Sequence, residues 1–310
     1  MSAGKITVGV VGLGSIARKA HLPVLAAHPG VAVIALTSRT GAYIAALESQ
    51  YRLNLTARSW AELLAVRPQA AYVLSATESH PDVTVALLEA GIAVYLEKPL
   101  AIDLADARKI VEAANRPGRL LMVGFNRRYA PIYRQALAHF SATGRRVELV
   151  QVHKHRHGDH SGWPVRQIIM DDAIHIIDLA RFIAGPDLQR QSSLTRLGLM
   201  AAQLHTPNGV VAQISQSYGA GAGTERLELH GGGLSVIVAE MERLTVVENG
   251  IPRTETIGGS WTSSLEKKGI VAATEHFLDC VRSGAQPETS AAEALRTQEL
   301  AESILLAGEN

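Results

Sequence analysis

Three groups of residues carry types and spacings that can do chemistry. Lys98 stands in Glu97-Lys98-Pro99, directly after the apolar run 94–96. If that run is a buried parallel strand, the lysine sits at the carboxyl edge where open α/β sheets bind ligands, its backbone fixed by a proline. The second group is Gly12-Leu13-Gly14-Ser15-Ile16-Ala17, a G-x-G-x-x-A pattern between the β-branched run Ile6–Val11 and a stretch of helix formers. Gly12 allows the tight turn, Gly14 lets backbone approach a pyrophosphate, and Ala17 is small enough for close packing of helix on strand. The third is Asp171, His175 and Asp178, at i, i+4 and i+7 of an apolar stretch, hence on one face of a helix. An aspartate four residues before a histidine can orient the imidazole, which makes His175 a proton carrier or substrate donor; the other reading is a histidine held structurally by Asp178.

The elements that must position these groups follow from hydrophobic patterning. In the first half, strands at 6–11, 31–36, 71–75, 92–96 and 120–125 alternate with helices at 42–50, 60–64, 82–90 and 104–114, with Asp103 as N-cap of the last. Alternation of this kind means parallel strands joined by right-handed crossovers. Each strand should end in a loop at one edge of the sheet. After the second strand comes Thr37-Ser38-Arg39-Thr40, with no acidic residue to hold the ribose hydroxyls about 20 residues past the glycines. Ser38 can hydrogen-bond a 2′-phosphate and Arg39 can pair with it, so NADP(H) is favoured over NAD(H). Thr77 and His80 lie in the loop after the next strand; His80 reads either as a cofactor contact or as a helix-entry residue before Pro81. The last strand ends in Asn126-Arg127-Arg128-Tyr129, polar residues again at a carboxyl end.

The pattern changes beyond Gly124, which divides the chain into 1–124 and 125–310. Strands are expected at 147–157, 197–206, 209–218, 225–230, 234–239 and 244–249, with a hairpin signalled by Asn208-Gly209, and two closing helices at 271–283 and 291–306. The expected architecture is an α/β Rossmann dinucleotide-binding domain followed by an α+β domain with a mostly antiparallel open sheet. The C-terminal helix is a segment that could pack back on the first domain. An open sheet face commonly binds another subunit, so a homo-oligomer, dimer or tetramer, is expected. His153, His155 and His157 alternate along the first of these strands, with His160 nearby. No cysteine joins them, and Lys154 and Arg156 intervene, so the stretch reads as an exposed or ligand-facing strand, His155 included, rather than a metal centre.

Totals narrow the partners. Lysine and arginine number 30 against 29 acidic residues in 310, so no global field recruits nucleic acid or an anionic membrane. The lone Cys280 excludes an internal disulfide framework and reads as a filler of a late helix. No apolar span reaches the roughly 20 residues of a membrane helix, and the first residues lack a secretory pattern, so a cytoplasmic protein with small-molecule partners is expected.

Taken together, the glycine motif, Glu97-Lys98-Pro99, Val123-Gly-Phe-Asn-Arg-Arg-Tyr129 and Asp171-x-x-x-His175 resemble the Gfo/Idh/MocA family of NAD(P)-dependent oxidoreductases, and within it the MviM-type branch. The resemblance extends over essentially the whole chain. It implies that Lys98 is the catalytic lysine beside the nicotinamide, that its bond to Pro99 is cis, and that Asp171 and His175 are the substrate-site pair. Gly12, Gly14, Ser15, Ile16, Ser38, Arg39, Thr77, His80, Glu97 and Lys98 then line the cofactor, with Arg127, Tyr129 and His155 toward substrate. The chain departs from the family in three places. Arg166-Gln-Ile-Ile-Met170 replaces a glycine-rich lead-in, Ala173 replaces a glycine, and the loop at Thr77 lacks the usual proline. The expected reaction is hydride transfer between nicotinamide C4 and a carbinol or ketone carbon of a sugar, cyclitol or polyol. The alternatives are a non-catalytic NADP(H)-binding sensor, or NAD-dependent glycosidase-type redox chemistry.

Overall fold

The computed structural model describes residues 4–158, 164–256, 258–259 and 261–306. The chain divides into two compact units, one formed by the residues up to Gly124 with Ile270–Leu295, the other by Phe125–Gly269 with the residues from Arg296.

The first unit is built on a five-stranded parallel sheet of β1 (Ile6–Val11), β2 (Val31–Thr37), β3 (Ala70–Val73), β4 (Ala93–Leu96) and β5 (Leu121–Val123), in the order β2-β1-β3-β4-β5. Every residue of β3 is buried, as helices covering both faces require. Strand order reverses between β1 and β3, which opens the crevice that such sheets offer to ligands. Gly12 lies in that crevice at φ +90°, and a Cβ there would fall 2.5 Å from the backbone of Ser75, so only glycine fits. The helix after the glycines runs on through Pro23. A π-turn at Ala17–His21 runs directly into Leu22–Ala27, with Pro23 in its first turn, where a missing N–H costs little. The final strand is shorter than its apolar run, and its edge is bonded to Thr289, whose hydroxyl donates to the Val123 carbonyl at 2.7 Å. Helix Ile270–Ser283, with Cys280 buried in it, belongs to this unit; its Phe277 ring meets Tyr72 and Tyr95 edge-on.

In the second unit, β6 (Leu149–His155), β7 (Gln189–Arg196), β8 (Leu199–His205), β9 (Val211–Ser217), β10 (Thr224–Gly231), β11 (Leu234–Ala239), β12 (Arg243–Glu248) and β13 (Ile251–Thr256) form one sheet, ordered β13-β12-β11-β10-β6-β9-β8-β7. All pairs are antiparallel except β6 with β9. Helices Pro131–Ala142 and Ile174–Ala184 pack on one face. Two strands escape the sequence reading, and both are edges. The polar run of β7 has no alternation to reveal it, and β13 carries Pro252, which an edge strand tolerates because one row of its N–H groups needs no partner. Leu197 and Gly198, expected in a strand, instead form the turn between β7 and β8, with Gly198 at φ +73°. Among the described residues no helix is long and apolar enough to cross a membrane.

Candidate active site

The first unit gathers its candidate residues at the carboxyl edge of the parallel sheet. Gly14, Ser15 and Ile16 are exposed at the start of the helix that follows β1, and a Cβ on Gly14 would meet no protein atom within 4 Å. That open space over backbone N–H groups fits a pyrophosphate. Arg39 is exposed and Ser38 half-buried after β2, with the Ser38 hydroxyl donating to the Ala42 carbonyl at 3.3 Å. The Arg18 guanidinium lies 4.1 Å from the centre of the Tyr43 ring beyond the same loop. Thr77 opens a short 3₁₀ turn after β3.

Lys98 follows β4, and its bond to Pro99 is cis. His80 is buried beneath this loop. Its Nδ1 lies 2.9 Å from the Pro99 carbonyl oxygen and its Nε2 3.3 Å from that of Ser75. Burial pushes the ring's pKa down, so the neutral imidazole donates one N–H to the better placed Pro99 carbonyl. That occupation matches the helix-entry reading of His80. Glu97 has a partner the motif did not indicate: Nε2 of the buried His21 lies 2.9 Å from its Oε1, while the Lys98 backbone N–H donates to its Oε2 at 3.2 Å. Burial opposes ionisation of Glu97, but the hydrogen bond from His21, with positive charge on His21 and Lys98, holds its carboxyl below the usual carboxylate range.

In the second unit Asp171 and His175 are half-buried, on a stretch that starts as a π-turn, Ile169–Ala173, and continues as helix Ile174–Ala184. A wider turn of this kind is a frequent mark of functional sites. The expected three-residue stripe is divided: Asp178 turns into the core, where it receives two hydrogen bonds from Arg128, at 2.8 and 2.6 Å, and one from the Thr297 hydroxyl at 2.8 Å. A buried guanidinium needs a carboxylate, and Asp178 supplies it, not an anchor for His175. Arg127 is likewise engaged, donating to both oxygens of Glu225 at 2.7 and 2.6 Å, with Tyr133 donating to the same carboxylate at 2.7 Å. Tyr129 is buried, its ring under the Arg134 guanidinium. His155 is half-buried, and its Nδ1 accepts the Ser217 backbone N–H at 3.1 Å.

The largest polar feature of this unit surrounds Asp172, which sequence reasoning passed over in favour of its neighbour. Its carboxylate accepts from Arg156 at 2.9 and 2.8 Å, Gln216 at 2.6 Å, Tyr218 at 2.9 Å and the ammonium of Lys154. Burial would raise its pKa, but Arg156 and Lys154 hold the carboxyl far below the ordinary aspartate range. Lys154, expected on an exposed or ligand-facing strand, is only 2 % exposed. The period of a strand explains this: His153 and His155 share the outer face, which puts Lys154 on the inner one. Burial, with the charge of Arg127, pushes the Lys154 pKa down. On the outer face the His153 and His155 rings stack 6.2 Å apart, and His153 bonds the Ser215 hydroxyl at 2.8 Å. His157 is exposed beyond the strand, and His160 lies outside the described residues. Among the described residues no cluster of three His, Cys, Asp or Glu side chains is placed to hold a metal.

Comparison with known proteins places these features. A family model described as an oxidoreductase family with an NAD-binding Rossmann fold matches residues 6–125. YceM of Salmonella typhimurium is 31% identical over 312 residues, covering 96% of this chain and 97% of its own length. The inositol 2-dehydrogenase of the same organism is 32% identical over 203 residues, 61% of this chain and 60% of its own. Among solved structures, a dehydrogenase (MviM) from Clostridium difficile matches with a TM-score of 0.89 at 27% identity, over 97% of this chain and 99% of that one. With a relative matched along its full length and a Rossmann half matched by the family model, the chain belongs to the Gfo/Idh/MocA family of NAD(P)-dependent oxidoreductases.

Proposed function

We propose that the protein transfers hydride between a nicotinamide cofactor and a carbinol or ketone carbon of a sugar, cyclitol or related polyol, with NADP(H) favoured. One observation carries the reading. Lys98, on its cis bond to Pro99, leaves β4 at the same sheet edge as the open glycine turn after β1. A similar inositol 2-dehydrogenase supports the substrate class. When bound, the nicotinamide supplies the hydride acceptor or donor at C4.

The protein's own residues bind, orient and move the proton. Gly12, Gly14, Ser15 and Ile16 hold the pyrophosphate by backbone, and Ser38 and Arg39 hold a 2′-phosphate. Thr77, Glu97 and Lys98 belong to the nicotinamide end of this edge, with His80 supporting the Pro99 carbonyl from below. Lys98 holds the reacting oxygen and shares its proton. Of the second unit's residues, His175 is assigned the proton transfer and Asp171 the orientation of the group; an imidazole, unperturbed near pKa ~6.5, needs less tuning for this than a lysine near ~10.4. His155, expected toward substrate, lies with His153 on the outer face of β6, opposite Lys154 and Asp172, and takes no part in this assignment; Arg127, already paired with Glu225, and Tyr129 keep a supporting role. Assembly through the outer face of the eight-stranded sheet completes the proposal, supported by half-buried His153, Gln213 and Ser215 and exposed Leu194 on that sheet.

Lys98→Met tests the assignment. With NADPH or NADH and a panel of sugar alcohols, turnover is expected to fall by a factor of about 10³ or more while cofactor affinity, read by nicotinamide fluorescence, stays within about twofold. Lost cofactor binding with normal turnover would overturn it.

A further inference from the structure

The mechanism above uses Lys98 and gives no task to the bond between buried His21 and half-buried Glu97 directly beside it. His21 is 1 % exposed, and among the described residues Glu97 is its only polar partner. Its ring lies in an aromatic box, 5.7 Å from Tyr72 and 5.2 Å from Tyr95, which stack on each other at 4.6 Å under the edge of Phe277. The His21 ring is thereby shielded from water, and a hydrogen bond from it to a carboxylate gains strength in such surroundings. The second oxygen of Glu97 takes the Lys98 backbone N–H. One bond fixes the carboxylate to the helix after β1, and the other fixes the backbone after β4 to the carboxylate.

The neighbouring strand is shaped to the same end. A Cβ on Gly124, at the end of β5, would stand 3.2 Å from Glu97 Oε1 and 3.0 Å from the Tyr95 hydroxyl, so a side chain there would press on the pair. On the other side of the loop, His80 bonds the Pro99 carbonyl at 2.9 Å. The peptide before Lys98 and the one after Pro99 are therefore each tied to a buried histidine, the first through Glu97 and the second directly.

We infer that His21 and Glu97 are positioning residues for Lys98: the His21 Nε2–H pins the Glu97 carboxylate, which in turn clamps the Lys98 backbone so that its side chain leaves the sheet in one direction. The inference rests on the reading of Lys98 as the catalytic lysine.

Its test uses the full chain with His21→Leu, which removes the donor, His21→Gln, which keeps an N–H at similar reach, and Glu97→Gln. Amide hydrogen exchange of the segment that includes Lys98 is measured beside thermal melting. Exchange there should quicken about tenfold in His21→Leu and Glu97→Gln and return close to the original rate in His21→Gln. Peptides of β1 and β2, which sit apart from the clamp, should exchange at unchanged rates. Where the panel of sugar alcohols gives turnover, kcat should fall about 10- to 100-fold in the first two variants, as a misplaced group costs, with KM for the cofactor held within about twofold in His21→Leu. Unchanged exchange at Lys98 in His21→Leu, or equal loss in His21→Gln and His21→Leu, would overturn the inference. If Lys98→Met leaves turnover intact, the catalytic reading falls alone, because the exchange result is independent of it.

Discussion

In the five-stranded sheet the strand interiors are apolar and the charged groups collect at one edge, whereas in the eight-stranded sheet Lys154 and Gln216 sit among the inward-facing residues of two central strands. The two arrangements place different demands on a substitution. At the parallel sheet's edge, Arg39 and Ser15 are exposed and bear little of the fold, so changing them should alter ligands before stability. Around Asp172, Lys154, Gln216 and Tyr218 are buried with the carboxylate and only Arg156 reaches solvent, so removing the carboxylate leaves a buried cation without its counter-charge.

Three measurements would break or sharpen this contrast. The largest effect is expected from Asp172→Ala, which leaves Lys154 buried without its carboxylate; urea unfolding should show a loss of about 3–5 kcal/mol. A loss below about 1 kcal/mol would mean that the cluster is not a structural keystone of its unit. Next comes Glu225, whose carboxyl titrates at about 2 in the fold because Arg127 and Tyr133 outweigh the effect of burial, against 4.5 ordinarily. A depressed carboxylate contributes its stabilisation in full above about pH 4.5 and loses it as pH falls toward 2, a difference of roughly 3 kcal/mol. Glu225→Gln should flatten the acid limb of a stability–pH curve across that window, and an unchanged slope would count against the pair. The smallest is Arg39→Ala. NADPH should bind about tenfold more weakly, about 1.4 kcal/mol, with NADH affinity unchanged and unfolding within about 0.5 kcal/mol of the original. Equal weakening of both cofactors would remove the case for a 2′-phosphate site.

The same contrast explains what could be read from the chain alone. Gly12, Gly14 and Pro99 record a backbone requirement in residue type, and β3, β4 and the helices between strands record burial in their periodicity, so the Rossmann half was legible. The Lys98–Pro99 cis bond followed from family resemblance. Side-chain pairing over long sequence distances left no such record. Nothing near Asp172 announces that its donors come from Lys154, Arg156, Gln216 and Tyr218, and a charged residue in an alternating strand reads by type as an outward one. A strict count of two along β6 from His153 and His155 would have placed Lys154 inside. His21 was equally hidden: it falls on the inner side of the helix after the glycines, four residues past Ala17, but its partner Glu97 lies far along the chain. Asp178 shows the converse: it falls on one helical face with Asp171 and His175, which makes it a candidate holder of the imidazole, and instead it serves Arg128.

The parallel pairing of β6 with β9 has a consequence for how the second unit is made. Both neighbours of β6, β9 and β10, come from much later in the chain, so β6 has no local hairpin partner and must wait for them. Contacts between distant segments form slowly because the closure of long loops comes before any reward. A chain emerging from synthesis as far as β8 already holds Lys154, Arg156 and Asp172, but neither Gln216 nor Tyr218. The carboxylate completes its set of donors only when the central strands have come together, which makes an intact Asp172 cluster a chemical signature of finished folding.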